Sequence, residues 1–258
     1  MTTSEMTASG VDERALRSLR GWNLALTLLH LGQAVAVVVL ATDFAIRITR
    51  SLPTGPPGTR IASPEAVLDL PIGVAIAAFL TLASLDHLLT ATLLRGTYER
   101  DLRRGINRFR WVEYSFSATI MVVLIALYAG VVDVAALIGI IGANVAMILF
   151  GWLQESANPP GSTTLTMKPF WFGCVAGATP WVAIGYQLIA ADDVPGFVVG
   201  IFVSLFVFFN TFALNQWLQY RQVGPWRSYA FGERAYLVLS LVAKSVLAWQ
   251  IFGGSLAS

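Results

Sequence analysis

Ala235 to Phe252 reads AYLVLSLVAKSVLAWQIF, a run whose only charge is Lys244 near its centre. A stretch of roughly 20 apolar residues is long enough to cross the hydrocarbon of a bilayer as a helix. An amine at the middle of such a helix costs about 2.5–3.5 kcal/mol on insertion scales. The chain spends lysine sparingly: the only other one, Lys168, stands beside Pro169 between apolar runs. A central lysine kept at that cost either faces an internal water-filled cavity or serves as a reactive amine. Desolvation favours the neutral form of a lysine, the form that condenses with an aldehyde to a Schiff base.

The rest of the sequence supports a membrane reading. Of 258 residues, 56% are hydrophobic and only 12% charged, against about 25% charged in soluble domains. The polar opening, MTTSEMTASGVDERALRSLR, has no apolar centre of a cleaved signal peptide, so the first span is expected to direct insertion. A single cysteine, Cys174, excludes an internal disulfide framework and a multi-cysteine metal site. No nucleic-acid partner and no enzymatic activity are expected.

Seven apolar stretches qualify as spans: 22–44, 70–94, 109–130, 132–153, 170–190, 195–218 and 235–252. Spans in lipid satisfy their backbone internally, so each is read as a helix, and Pro180 is expected to kink the fifth. The expectation is an all-α integral membrane protein, one seven-helix domain over 1–258, with a polar segment 1–21 before the first span. The loop 45–69 holds SLPTGPPGTR, whose Pro and Gly mark turns; a β-hairpin and an irregular loop are both open readings of it.

Thirteen Lys and Arg fall in the segments on the N-terminal side of the membrane. Three, Arg47, Arg50 and Arg60, fall on the other. The positive-inside rule then places the N-terminus in the cytoplasm and the C-terminus outside. On helical rise, Lys244 lies about 14 Å from the cytoplasmic edge, His30 and His87 about 10–12 Å. Ser240 is one turn closer to the cytoplasm on the face of Lys244. Glu113 lies in the cytoplasmic part of the third span, with Arg110 one turn nearer the edge. The ionisable groups of the spans thus gather on one side of Lys244, while Asp43, Asp69, Asp133, Asp192 and Asp193 sit at helix ends or in loops.

Seven spans with a lysine in the last resemble the retinal-binding rhodopsins. Arg110, Trp111, Val112, Glu113 and Tyr114 match the Arg–aromatic–x–acid–aromatic pattern of the third microbial rhodopsin helix. The segments RWVEYS, ILFGWLQE, PFWFG, VPGF, GERAY and LSLVAKS…AWQIF together resemble one branch, the heliorhodopsins, over essentially the whole chain. That family is known for an N-terminus in the cytoplasm, the direction reached above from charge.

The resemblance implies that Lys244 carries all-trans retinal as a Schiff base, with Glu113 as counterion and Ser240 where pumping relatives usually carry a second carboxylate. A salt bridge from Glu113 to Arg110 at i−3 is the competing reading of that acid. His30 and His87 resemble the pair lining the family's polar cavity on the cytoplasmic side, and Arg110 and Tyr114 are placed with them. Asp86 departs from the apolar neighbour of His87 in the family pattern and receives no role. Trp171 and Phe209 match positions beside the chromophore; Met147, Asn144, Phe206 and Asn210 are further candidates. Phe202, Phe206 and Phe209 form one stripe of the sixth span, and Leu205, Phe208 and Phe212 its neighbour. Gly151 and Gly173 could let a ring or helix approach closely.

The function implied is a light sensor with a slow photocycle, all-trans to 13-cis isomerisation, and proton transfer into the cytoplasmic-side cavity. Plasma-membrane localisation, a homodimer and an unidentified cytoplasmic signalling partner go with it. The competing reading is a light-driven pump or channel. Against it, Leu124 stands eleven residues after the counterion, where pumping relatives often carry a carboxylate, and position 240 is not acidic. A membrane receptor or transporter without photochemistry is the third class.

Overall fold

The computed structural model describes residues 10–56, 58, 63–160, 162 and 164–257. Arg60 and the first nine residues of the polar segment 1–21 lie outside the described residues. The elements run α1 (Glu13–Leu40), β1 (Ala45–Arg50), β2 (Glu65–Pro71), α2 (Ile72–Ala91), α3 (Arg95–Arg103), α4 (Arg108–Tyr128), α5 (Val134–Ala157), α6 (Lys168–Ala190), α7 (Gly196–Tyr220) and α8 (Tyr229–Ile251). Seven helices, all but α3, are long and apolar enough to cross a membrane. They form an antiparallel bundle with a helical end, where α1 begins, and a hairpin end.

Side-chain caps start three helices. Asp12 accepts from Ala15 N at 2.7 Å, Asn107 from Arg110 N at 3.1 Å, and Asp133 from Ala135 N at 2.9 Å. Each satisfies an N–H that the first turn leaves open. The tight α4–α5 turn is a Schellman closure: Gly130 N bonds Leu127 O at 3.0 Å and Val131 N bonds Ala126 O at 2.9 Å. It requires a left-handed residue, and Gly130 has φ +88.

The helices overrun the apolar stretches. α1 begins at Glu13 and α8 at Tyr229, because charged residues near their starts, Arg14 and Arg17 in α1 and Glu233 and Arg234 in α8, cut short the apolar stretch that hydropathy registers. Lys244 is therefore the sixteenth residue of α8, about 22 Å along it, where the sequence placed it about ninth. Similarly α5 continues to Ala157, taking Gln154 and Glu155 into the helix. α6 remains helical through Pro180. The short α3 falls in a stretch expected to be loop, since five of its nine residues are charged, yet Tyr98 and Leu102 pack with Val11, Leu16, Leu19 and Ala230 in a small apolar cluster of their own.

The loop between α1 and α2 forms an antiparallel strand pair, with a register irregularity between Ile48 and Thr49. Arg47–Asp69 and Arg50–Glu65 pair across it at 2.9 and 3.1 Å. Thr49 N donates to Val132 O at 2.9 Å, which fastens the hairpin to the α4–α5 turn. The main core lies in the hairpin half of the bundle and contains Phe79, Leu124, Ile125, Ile201, Leu247 and Ile251. Among the spans α4 is the most enclosed and α7 the least. α4 is thus the axis of the bundle, and its side chains are best placed to meet Lys244.

Candidate functional site

Lys244 is only 2% exposed. Its amine donates to Ser240 Oγ at 2.7 Å, one turn back on α8, and lies 3.3 Å from Glu113 Oε1 and 3.5 Å from Oε2. Nζ also stands 5.0 Å from the centre of the Tyr114 ring. Taking an ammonium out of water is costly unless a counter-charge and hydrogen bonds replace the solvent; α4 supplies the charge and α8 the hydroxyl. Lys244, Ser240, Glu113 and Tyr114 are thus brought together.

The amine opens into a cavity of about 300 Å³ between α4, α5, α6, α7 and α8. Its walls are Trp111 and Tyr114 from α4, Met147 and Gly151 from α5, Phe170, Gly173, Gly177 and Trp181 from α6, Phe206, Phe209, Asn210 and Phe212 from α7, and Tyr236 from α8. Lys244 is the only charged residue among them. Gly151 sets one wall: a Cβ there would lie 2.5 Å from the Trp111 ring, so only glycine lets the indole rest on α5. Trp181 meets Phe206 and Phe209 edge to face at 5.4 and 5.3 Å.

Two sequence assignments do not reach this cavity. Trp171 is 55% exposed on the outside of α6, with its ring against Phe170. The inward face of α6 carries Phe170, Gly173, Gly177 and Trp181, spaced three, four and four residues apart, and Trp171 is rotated about 100° from it. Trp181 takes the place expected of Trp171, and that spacing was the signal available for it. Asn144 is buried behind the wall, where its Nδ2 donates to Thr119 Oγ1 at 2.9 Å and ties α5 to α4. Of the phenylalanine stripes, Phe206, Phe209 and Phe212 face the cavity, while Phe202 packs on Trp181. Asn210 lines the cavity near the outer surface, its Nδ2 bonded to Phe206 O at 2.8 Å.

Towards the helical end lies a second cavity of about 20 Å³, room for one water. Asn23, Asp86, His87, Tyr98, Asn107, Arg110, Glu113, Tyr114, Glu233 and Tyr236 border it. Asp86, given no role on sequence, therefore faces inward. His87 Nδ1 is 2.8 Å from Asn23 Oδ1. His30 stacks on His87 at 5.6 Å, one layer behind the cavity, and neither of its ring nitrogens has a hydrogen-bond partner among the described residues.

Arg110 does not pair with Glu113. Its guanidinium binds Glu155 and Glu233 and lies 3.9 Å from the centre of the Tyr236 ring. Asn107 Nδ2 donates to Glu233 at 2.7 Å, and Trp111 Nε1 donates to Glu155 at 2.6 Å. This network clamps α4, α5 and α8 beneath Lys244 and leaves Glu113 to the amine alone. Glu155 and Glu233 were missed because both sit near helix ends, where sequence reading counts an acid as solvated; the segments ILFGWLQE and GERAY already contained them.

A family model described as Heliorhodopsin matches residues 19–256. No curated protein matches the chain. Among solved structures, the chain resembles the light-driven proton pump LR (Mac) from Leptosphaeria maculans, with a TM-score of 0.66 at 15% identity over 92% of this chain and 94% of that one. The light-driven proton pump rhodopsin of Coccomyxa subellipsoidea gives 0.59 at 17% identity over 93% and 96%. Thermophilic rhodopsin from Rubrobacter xylanophilus gives 0.56 at 17% over 91% and 95%. At these identities the likeness shows the fold alone.

Proposed function

The chain belongs to the heliorhodopsin family, and we propose that it is a light-sensing retinal protein of the cell membrane. Membership makes it a multi-pass membrane protein of rhodopsin fold and implies a retinal chromophore. The observation that carries the reading is a buried primary amine in the wall of an aromatic cavity, set against a single carboxylate. The residues fit the group: about 300 Å³ is at the lower end of small-molecule sites, the walls suit a flat polyene, and Lys244 supplies the amine an aldehyde requires. Bound at Lys244, retinal supplies visible-light absorption and an all-trans to 13-cis isomerisation.

The chain's own groups then hold and move a proton at Nζ. Glu113 balances the positive charge there and Ser240 accepts its hydrogen bond. A proton leaving Nζ towards the helical end meets Glu113 and then the small cavity bordered by His87, with His30 behind it. The Arg110 clamp holds α4, α5 and α8 in register while this happens. Towards the hairpin end, Leu124 and Leu247 are fully buried in the apolar core, and neither side chain can take a proton. That asymmetry supports a sensor with a slow photocycle over a pump. The distribution of arginines supports a cytoplasmic N-terminus, so the proton stays on the cytoplasmic side. There a conformational signal would reach a partner, with the homodimer as the expected unit.

Loading the purified protein with all-trans retinal should produce a visible absorption band, and Lys244→Ala should abolish it. A normal band in that variant would refute the linkage. Illuminated cells should show no pH change that a protonophore removes; such a change would establish transport in place of sensing.

A further inference from the structure

Of the carboxylates bordering the small cavity, Asp86 is the one with no ion pair among the described residues. Glu155 and Glu233 hold Arg110, and Glu113 holds Lys244. Asp86 forms no ion pair among the described residues, and its main-chain oxygen accepts from Thr90 Oγ1 at 2.9 Å. Asp86 borders the same small cavity as Glu113. Glu113 Oε1, for its part, is buried and has the Lys244 ammonium 3.3 Å away. Both carboxylates thus open onto a volume of about 20 Å³, which one bridging water would fill.

The other groups facing this gap are already committed. His87 on α2 is engaged by Asn23, and Arg110 on α4 and Glu233 on α8 bind each other. Tyr98, Tyr114 and Tyr236 carry phenols, which are not ionised at neutral pH. Two carboxylates facing each other across one water repel when both are ionised. We infer that Asp86 and Glu113 share one proton across this gap, and that Asp86 becomes the counter-charge to the Lys244 amine when Glu113 cannot carry it. With Glu113 ionised against Nζ, the proton resides on Asp86. With Glu113 neutralised by substitution, the Lys244 cation stands alone and Asp86 releases its proton to balance it.

The part of the inference concerning pigment colour rests on the retinal reading; the proton sharing does not. Infrared pH-difference spectra of the retinal-free protein should show a protonated carboxyl stretch that is lost in Asp86→Asn. In retinal-loaded protein, Glu113→Gln should absorb to the red at low pH and shift to shorter wavelength as pH rises, in a one-proton titration. The Asp86→Asn, Glu113→Gln double variant should lose that titration. A carboxyl stretch unchanged in Asp86→Asn, or the same titration in the double variant, would overturn the inference. If the wild type forms no pigment with retinal, the proposed function fails, while the infrared comparison still decides whether Asp86 holds the proton.

Discussion

Gly151→Ala probes the wall that Trp111 shares with α5. The added Cβ would lie 2.5 Å from Trp111 Cζ3 and 2.6 Å from Cη2. Carbon atoms settle at about 3.5–4.0 Å, so the indole would have to withdraw by roughly 1 Å. The ring is not free to do so, because Nε1 donates to Glu155 Oε2 at 2.6 Å, one turn further along α5. A displacement of that size along the bond would end the hydrogen bond. Overpacking costs about 1–3 kcal/mol and a hydrogen bond to a charged group about 1.5–3 kcal/mol. Replacing a helical glycine returns about 1 kcal/mol, leaving a net destabilisation of roughly 1.5–5 kcal/mol. At about 2–4 °C per kcal/mol for chains approaching this size, thermal loss of the folded state should occur several degrees lower, measured by circular dichroism at one scan rate. The same change at Gly139 or Gly142, where a Cβ meets nothing within 4 Å, should be neutral or slightly stabilising. Combining Gly151→Ala with Trp111→Phe removes the clashing edge and should give less than additive destabilisation. Equal behaviour of Gly151→Ala and Gly139→Ala, or strict additivity with Trp111→Phe, would refute the reasoning.

Trp181→Ala should destabilise by about 3–5 kcal/mol and shift or abolish the visible band, while Trp171→Ala should leave both near wild type; denaturation and absorption spectra decide between the two tryptophans. Arg110→Gln leaves Glu155 and Glu233 facing each other without a cation and should cost about 3–5 kcal/mol, the penalty for breaking a buried pair, read from thermal unfolding. Arg47→Gln should change stability little at neutral pH, because Arg47 and Asp69 are both exposed. The hydrogen bond from Arg47 holds the Asp69 carboxyl below its usual value. Its small contribution is therefore present above the unfolded value and lost as pH falls through the folded one. The difference between Arg47→Gln and wild type should vanish in acid, and a difference that grew in acid would contradict this sign.

Much of the site was legible wherever it depended on one helix at a time. Ser240 and Lys244 are four residues apart, and helical geometry alone puts them on one face. The Arg110-to-Tyr114 motif placed the acid and its aromatic neighbour at the correct end of the third span. Reading failed where a residue's partner lay on another helix. Arg110 was weighed against Glu113 on its own helix, yet Glu155 and Glu233 come to it from α5 and α8. Trp171 and Trp181 share one helix, and only its rotation in the bundle turns the second inward. Asp86 could have faced lipid or cavity.

The sequence by itself determined seven spans, the placement of one lysine and its serine deep in the last, and the gathering of titratable groups in one half of the chain's helices. Length and charge suffice for these, since hydrocarbon excludes ions and sets the span. Which faces meet was decided only by the tertiary structure. In a membrane the lipid is as apolar as the protein interior, so the outward and inward faces of a span share one composition and hydropathy cannot tell them apart. Helix rotation and packing therefore chose Glu113 for Lys244, Trp181 for the cavity, and the water-sized gap between Glu113 and Asp86.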